Sequence, residues 1–79
     1  MNMKRKTDTI MLKKILVEHK LDKINELSKA TGINRTTLGA ILSGKSQPSA
    51  EIMYKLIKAL EIAPSEAGEI FFNPNLRNT

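Results

Sequence analysis

The chain has 79 residues, of which 41% are apolar and only 4% aromatic, so it is expected to form one small domain with an aliphatic core and no room for a walled catalytic cleft. Cysteine is absent and histidine occurs once, which argues against a disulfide framework, a thiolate metal site or a histidine-rich one. Thirteen Lys and Arg against eight Asp and Glu give a net charge of +5, which favours a polyanionic partner: nucleic acid first, an acidic membrane surface or acidic protein second.

Residues 1–7 are polar and basic, with Lys4, Arg5 and Lys6 in a row, and are expected to be an arm outside the folded unit. Thr7 and Asp8 offer N-caps for a first helix over about Thr9 to His19, in which Met11 or Leu12, Ile15 and Leu16 make one buried stripe. His19 stands at the helix end, where a positive charge suits the dipole. Leu21 and Asp22 break the pattern. A second helix follows over about Lys23 to Ala30, with Asp22 as its cap and Ile24, Leu27 and Ala30 as its apolar positions. Thr31 and Gly32 end it, because glycine accepts the left-handed backbone that a helix terminus needs.

Asn34 caps a third helix over about Arg35 to Ser43, striped by Leu38, Ile41 and Leu42 and stopped by Gly44. Lys45 to Pro48 is a turn. Ser49 caps a fourth helix, Ala50 to Leu60, in which Met53, Leu56, Ile57 and Leu60 give the clearest amphipathic pattern. Pro64 suits a first-turn position, and a short fifth helix runs from about Ser65 to Phe71 or Phe72. Residues 73–79 are a tail, leaving 8–72 as the domain. The expected class is all-α with five helices. No apolar run exceeds three residues, so no segment is expected to cross a bilayer or to act as a signal peptide, and the expected location is the cytoplasm.

The charge is placed unevenly. Residues 1–45 hold ten Lys/Arg against four Asp/Glu, a net +6, while residues 46–79 hold three against four, a net −1. No acidic residue lies between Glu26 and Glu51, whereas Lys29, Arg35 and Lys45 do. That window coincides with two short helices joined by a tight glycine-containing turn, the spacing of a helix-turn-helix. Ala30 is expected to let a crossing helix come close, with Ile33 and Leu38 plugging the angle between the helices. The outer face of the third helix then carries neither an acid nor a bulky apolar side chain, which suits a DNA major groove.

The segment LSKATGINRTTLGAILSGKSQPS, Leu27 to Ser49, resembles the Cro and lambda-type repressor helix-turn-helix (XRE-like) family. Leu27, Gly32, Ile33, Asn34, Thr37, Leu38 and the Gly44-Lys45-x-x-Pro48-Ser49 turn carry the likeness, KLIKAL continues it, and it spans about Met11 to Phe72. The resemblance implies a compact five-helix lambda-repressor-like domain whose third helix enters the major groove. Three positions depart from the family. Ile24 stands where it has a phosphate-contacting Gln, Ser28 stands where Ala is usual, and Leu42 replaces a common polar residue.

The expected DNA-contacting residues are Asn34, Arg35, Thr36, Thr37, Gly39, Ala40, Ser43, Lys45 and Ser46. A guanidinium at Arg35 can pair with guanine O6 and N7, or clamp a phosphate. Thr36 and Thr37 can meet base edges, phosphates or a thymine methyl, while Thr37 could instead only buttress the turn. Bare Gly39 and Ala40 let the helix backbone approach the groove closely. By the resemblance, Ser43, Lys45 and Ser46 are phosphate contacts that set register. Phe71 and Phe72 cannot both face one core, so one of them, with Leu76, is expected to form a self-association patch. The resemblance implies a homodimer reading two half-sites about 34–36 Å apart.

The function this supports is a sequence-specific transcriptional regulator of double-stranded DNA, a small Cro-like phage or mobile-element repressor with no catalytic residue, metal, cofactor, small-molecule ligand or membrane partner. The alternative is a protein-interaction module, antitoxin-like or other, that keeps the fold and binds DNA weakly or not at all. The bare positions Ile24, Gly39 and Ala40 favour that alternative; Arg35, Lys45 and the acid-free window oppose it.

Overall fold

The computed structural model describes residues 6–72, and among these it forms five helices and no strand. The helices are α1 (Thr9–Glu18), α2 (Ile24–Thr31), α3 (Arg35–Leu42), α4 (Ala50–Leu60) and α5 (Pro64–Phe71). The all-α expectation and the order of its elements therefore hold. Lys4, Arg5 and Leu76 lie outside the described residues.

Side-chain caps set several boundaries. The Asp8 carboxylate accepts from the Met11 N–H at 3.0 Å, the Asn34 side chain from Thr36 N–H at 2.7 Å, and the Ser49 hydroxyl from Ile52 N–H at 3.2 Å. Each satisfies an amide that the first helical turn cannot, a gain of about 1 kcal/mol. The second helix corrects the reading of its start. Its N-cap is Lys23 rather than Asp22, and no side chain caps it. Pro64 is the first residue of α5, where its missing N–H costs nothing, and Glu66 reaches back to accept from the Ala63 N–H at 3.4 Å.

The C-termini of α1 and α3 close by the same device. Behind α1, Lys20 N–H donates to Val17 O and Leu21 N–H to Leu16 O, with Lys20 left-handed at φ 58°. Behind α3, Gly44 N–H donates to Ile41 O and Lys45 N–H to Ala40 O, with Gly44 at φ 83°. Both are Schellman closures, which turn the chain sharply while pairing the last carbonyls. His19 is the C-cap of α1, so it stands just beyond the helix rather than inside it.

The core is aliphatic apart from one ring. Leu12, Ile15 and Leu16 of α1 pack with Leu27, Ile33, Leu38, Ile41, Leu56 and Leu60, and Ile70 and Phe71 of α5 close the base. Phe71 is fully buried, whereas Phe72 is 50% exposed, so the adjacent rings point opposite ways. Two polar links tie the start of α1 to the rest. Asp8 N–H donates to Ile70 O at 2.7 Å, and the buried Thr7 hydroxyl donates to Gln47 Oε1 at 2.8 Å.

Candidate nucleic-acid interface

The turn between α2 and α3 is fixed by both shape and polar contacts. Gly32 is left-handed at φ 77° and its N–H donates to Ser28 O. The Thr31 hydroxyl donates to Leu27 O at 2.8 Å and accepts from Ile33 N–H at 3.1 Å. The Ser28 hydroxyl donates to Ile33 O at 2.6 Å. Serine at the position where alanine is usual therefore does a specific job: it satisfies the carbonyl of the residue that plugs the turn. Ile33 and Leu38 are buried as expected, but Ala30 is exposed and is not the crossing point. The wedge between the helices is Leu27 against Ile33, Leu38 and Ile41, all at 1–2% exposure.

This frame presents the outer face of α3. Asn34 precedes it, with its side-chain oxygen committed to the cap and its amide nitrogen left as a donor. Arg35, Thr36 and Thr37 are exposed on the first turn. Gly39 and Ala40 follow and are half-buried. Ser43, Gly44, Lys45 and Ser46 are exposed at the far end. There the Ala40 carbonyl accepts from the Ser43 hydroxyl at 3.1 Å and from Lys45 N–H and Ser46 N–H at 2.9 and 3.2 Å. This triple acceptance holds the turn against the end of α3 and leaves the Lys45 side chain facing solvent. The structure thus brings all nine expected contact residues onto one helix and its two flanking turns.

Two neighbours of this face were not singled out from the sequence. Asn25, in the first turn of α2, accepts from the Arg35 guanidinium through its Oδ1 at 2.9 Å. The bond spends one arm of the fork and leaves the others to solvent, so Arg35 is held in place beside α2 while remaining able to donate. Ile24, next to Asn25, is not a core residue of α2 as its spacing implied; it is 37% exposed. Its Cδ1 would stand 3.9 Å from a Cβ built on Gly39. Since Arg35 and Gly39 are one helical turn apart, Asn25 and Ile24 flank the same edge of α3. Asn25 escaped notice because a lone exposed Asn has no periodicity to mark it. Gln47 escaped for the same reason, and its partner Thr7 lies forty positions away.

Cations outnumber acids around the face, although Glu26 lines the same hollow as Lys29 and Arg35. Lys29, Arg35 and Lys45 share the acid-free stretch between Glu26 and Glu51. On α4 the charges are paired locally: Lys55 lies 3.6 Å from Glu51, and the Lys58 ammonium sits 5.6 Å from the centre of the Tyr54 ring. Among the described residues there is no group of three His, Asp or Glu side chains placed to hold a metal, and no helix is long and apolar enough to cross a membrane. Of the expected self-association patch, Phe71 is a core side chain, Phe72 is half exposed, and Leu76 is outside the described residues.

A family model described as helix-turn-helix matches residues 12–66, which is more than half of the chain. The match begins in α1 and ends in the first turn of α5, so it includes the whole α2–turn–α3 unit and the Gly44 turn. No curated protein and no solved structure matches the chain.

Proposed function

The chain belongs to the helix-turn-helix family of DNA-binding regulators, of the Cro and lambda-type repressor kind, and from that premise we propose that it is a sequence-specific regulator of transcription that reads duplex DNA with α3. The observation that carries this reading is Arg35: exposed at the start of α3, bonded to Asn25, and set in a stretch without a single carboxylate. A guanidinium so held can meet guanine O6 and N7 from the major groove. Asn34, Thr36 and Thr37 flank it, Gly39 and Ala40 let the helix sit deep, and Ser43, Lys45 and Ser46 take phosphates and fix register. The finer reading is a small Cro-like repressor of phage or mobile-element type, acting in the cytoplasm as a homodimer through Phe72 and the tail that holds Leu76, with no cofactor or catalytic role. The basic run before Thr7 would serve as an arm, Thr7 itself being packed into the domain instead of belonging to the expected 1–7 arm, and 73–79 would serve as a tail.

Two measurements test this. Affinity for random duplex DNA should fall by about one log unit per log unit of salt for each phosphate neutralised. Selection from a random pool should then return one enriched site, bound tightly enough to survive moderate salt.

A second reading, a protein-interaction module on the same fold, has a surface groove in its favour besides the bare positions Ile24, Gly39 and Ala40. An open groove of about 570 Å³ between α2 and α4, lined by Ala30, Thr31, Tyr54, Lys55, Lys58 and others, shares no residue with the α3 face. Absence of any DNA affinity at low salt would favour this second reading over the first.

A further inference from the structure

Ile24 and Gly39 form an unusual pair for a surface meant to meet a polyanion. Ile24 is a large apolar side chain left 37% exposed, and it stands on the edge of α3 that carries Arg35. Gly39 opposite it has no side chain, and a Cβ there would meet only the Ile24 Cδ1, at 3.9 Å. The result is a methyl-sized opening: an isoleucine on one side, the bare α3 backbone below, and the half-buried Ala40 next along the helix. The Arg35 guanidinium stands one turn back on α3, in a hollow it shares with Asn25, Glu26 and Lys29, and α3 itself carries no carboxylate. An apolar opening beside a guanidinium that can read a base suits an apolar group displayed on the neighbouring base pair. In a major groove that group is the C5-methyl of thymine, the one apolar feature on the base-pair edges.

We propose that Ile24 and Gly39 together seat a thymine methyl and so add a thymine requirement next to the base read by Arg35. The inference rests on the DNA-reading function proposed above and deepens it. It also accounts for the absence of a polar side chain at position 24: Ile24 reads a base instead of a phosphate. Gly39 is then a specificity residue because of the space it leaves, and Asn25 is a positioning residue that keeps the Arg35 fork clear of that space.

The test uses the full-length protein and the site enriched from a random pool. Each thymine of that site is replaced in turn by deoxyuridine, which removes the methyl and keeps the base pairing. At one or more positions the loss of a buried methyl should weaken binding about fourfold. The same substitution should cost Ile24→Ala nothing, because its seat is already lost; circular dichroism establishes that this variant is folded. A site in which no thymine responds to deoxyuridine overturns the proposal while leaving DNA reading intact. So does a penalty of unchanged size in Ile24→Ala, which would assign the methyl to another side chain such as Thr36. A chain that binds no duplex at low salt refutes both the function and the methyl seat.

Discussion

Replacing Gly39 with alanine adds one methyl group at the fifth residue of an eight-residue helix. Three facts fix the sign of its effect on stability. Glycine inside a helix is about 0.8–1.0 kcal/mol less favourable than alanine. Gly39 is not among the residues with positive φ, so alanine brings no backbone strain. The added Cβ meets only the Ile24 Cδ1, at 3.9 Å, which is ordinary van der Waals contact. The variant should therefore be more stable by about 0.8 kcal/mol, a rise in Tm of roughly 3–6 °C for a domain of this size. Urea denaturation followed by circular dichroism should show a higher midpoint at unchanged slope. Gly68→Ala is the control, because a Cβ at that position in α5 meets nothing within 4 Å and should gain about as much. The two variants should part on DNA. Gly39→Ala fills the space beside Ile24 and should bind the enriched site several-fold more weakly, while Gly68→Ala binds it as the parent does. A Gly39→Ala protein less stable than the parent would refute the packing argument. One that is more stable yet binds undiminished would refute the use of that space for reading DNA.

Arg35→Ala should cost about 1–3 kcal/mol on the enriched site and relax the preference at one base pair, and Asn25→Ala should reproduce a part of that loss without moving Tm by more than a degree or two; equal weakening on specific and random DNA would make Arg35 a phosphate clamp. Lys45→Ala should weaken all sequences alike and lower the slope of log affinity against log salt by about 1, as read by fluorescence anisotropy at several salt concentrations. Lys20→Gly should stabilise the fold by about 0.5–1 kcal/mol in urea melts, since Lys20 sits at φ 58°, where only glycine is free of side-chain strain. Phe71→Ala should cost about 3–5 kcal/mol, whereas Phe72→Ser should leave the melt nearly unchanged and lower the mass of the complex on a palindromic site from that of two bound protomers to that of one.

The elements were legible because their boundaries are local chemistry. Asn34 and Ser49 announce α3 and α4 by offering an oxygen to amides two or three residues on, and Gly32 and Gly44 mark turns that need a left-handed residue. The start of α2 lies one residue beyond the expected cap: Asp22 is the better capper on propensity, yet the chain enters the helix at Lys23, after the left-handed Lys20 has turned it. Ala30 and Ile24 both depart from the expected apolar stripe for one reason. An i, i+3, i+6 spacing drifts around a helix by 60° per step from a full turn, so Leu27 alone of the three points squarely inward. The polar links were the least visible part. Arg35 to Asn25, Ser28 to Ile33 and Thr7 to Gln47 join residues whose types are ordinary on any surface, and only the crossing of the helices makes them partners.

The two bonds that hold Thr7 and Asp8 have a kinetic side. The α2–turn–α3 unit is built from contacts close in sequence, which can form early and at little loop-closure cost. Thr7 must instead find Gln47, and Asp8 must find Ile70, across most of the folded chain. On loop-closure grounds these contacts are expected to form late, with the docking of the start of α1 as the step that completes the domain. In reverse, native-state opening should begin there: amides of the first turn of α1 and the last turn of α5 should exchange with solvent together, ahead of those in α2 and α3. The reading helix would thus belong to the slowest-exchanging unit of the domain, with the seam between its first and last helices as the place where the fold lets go.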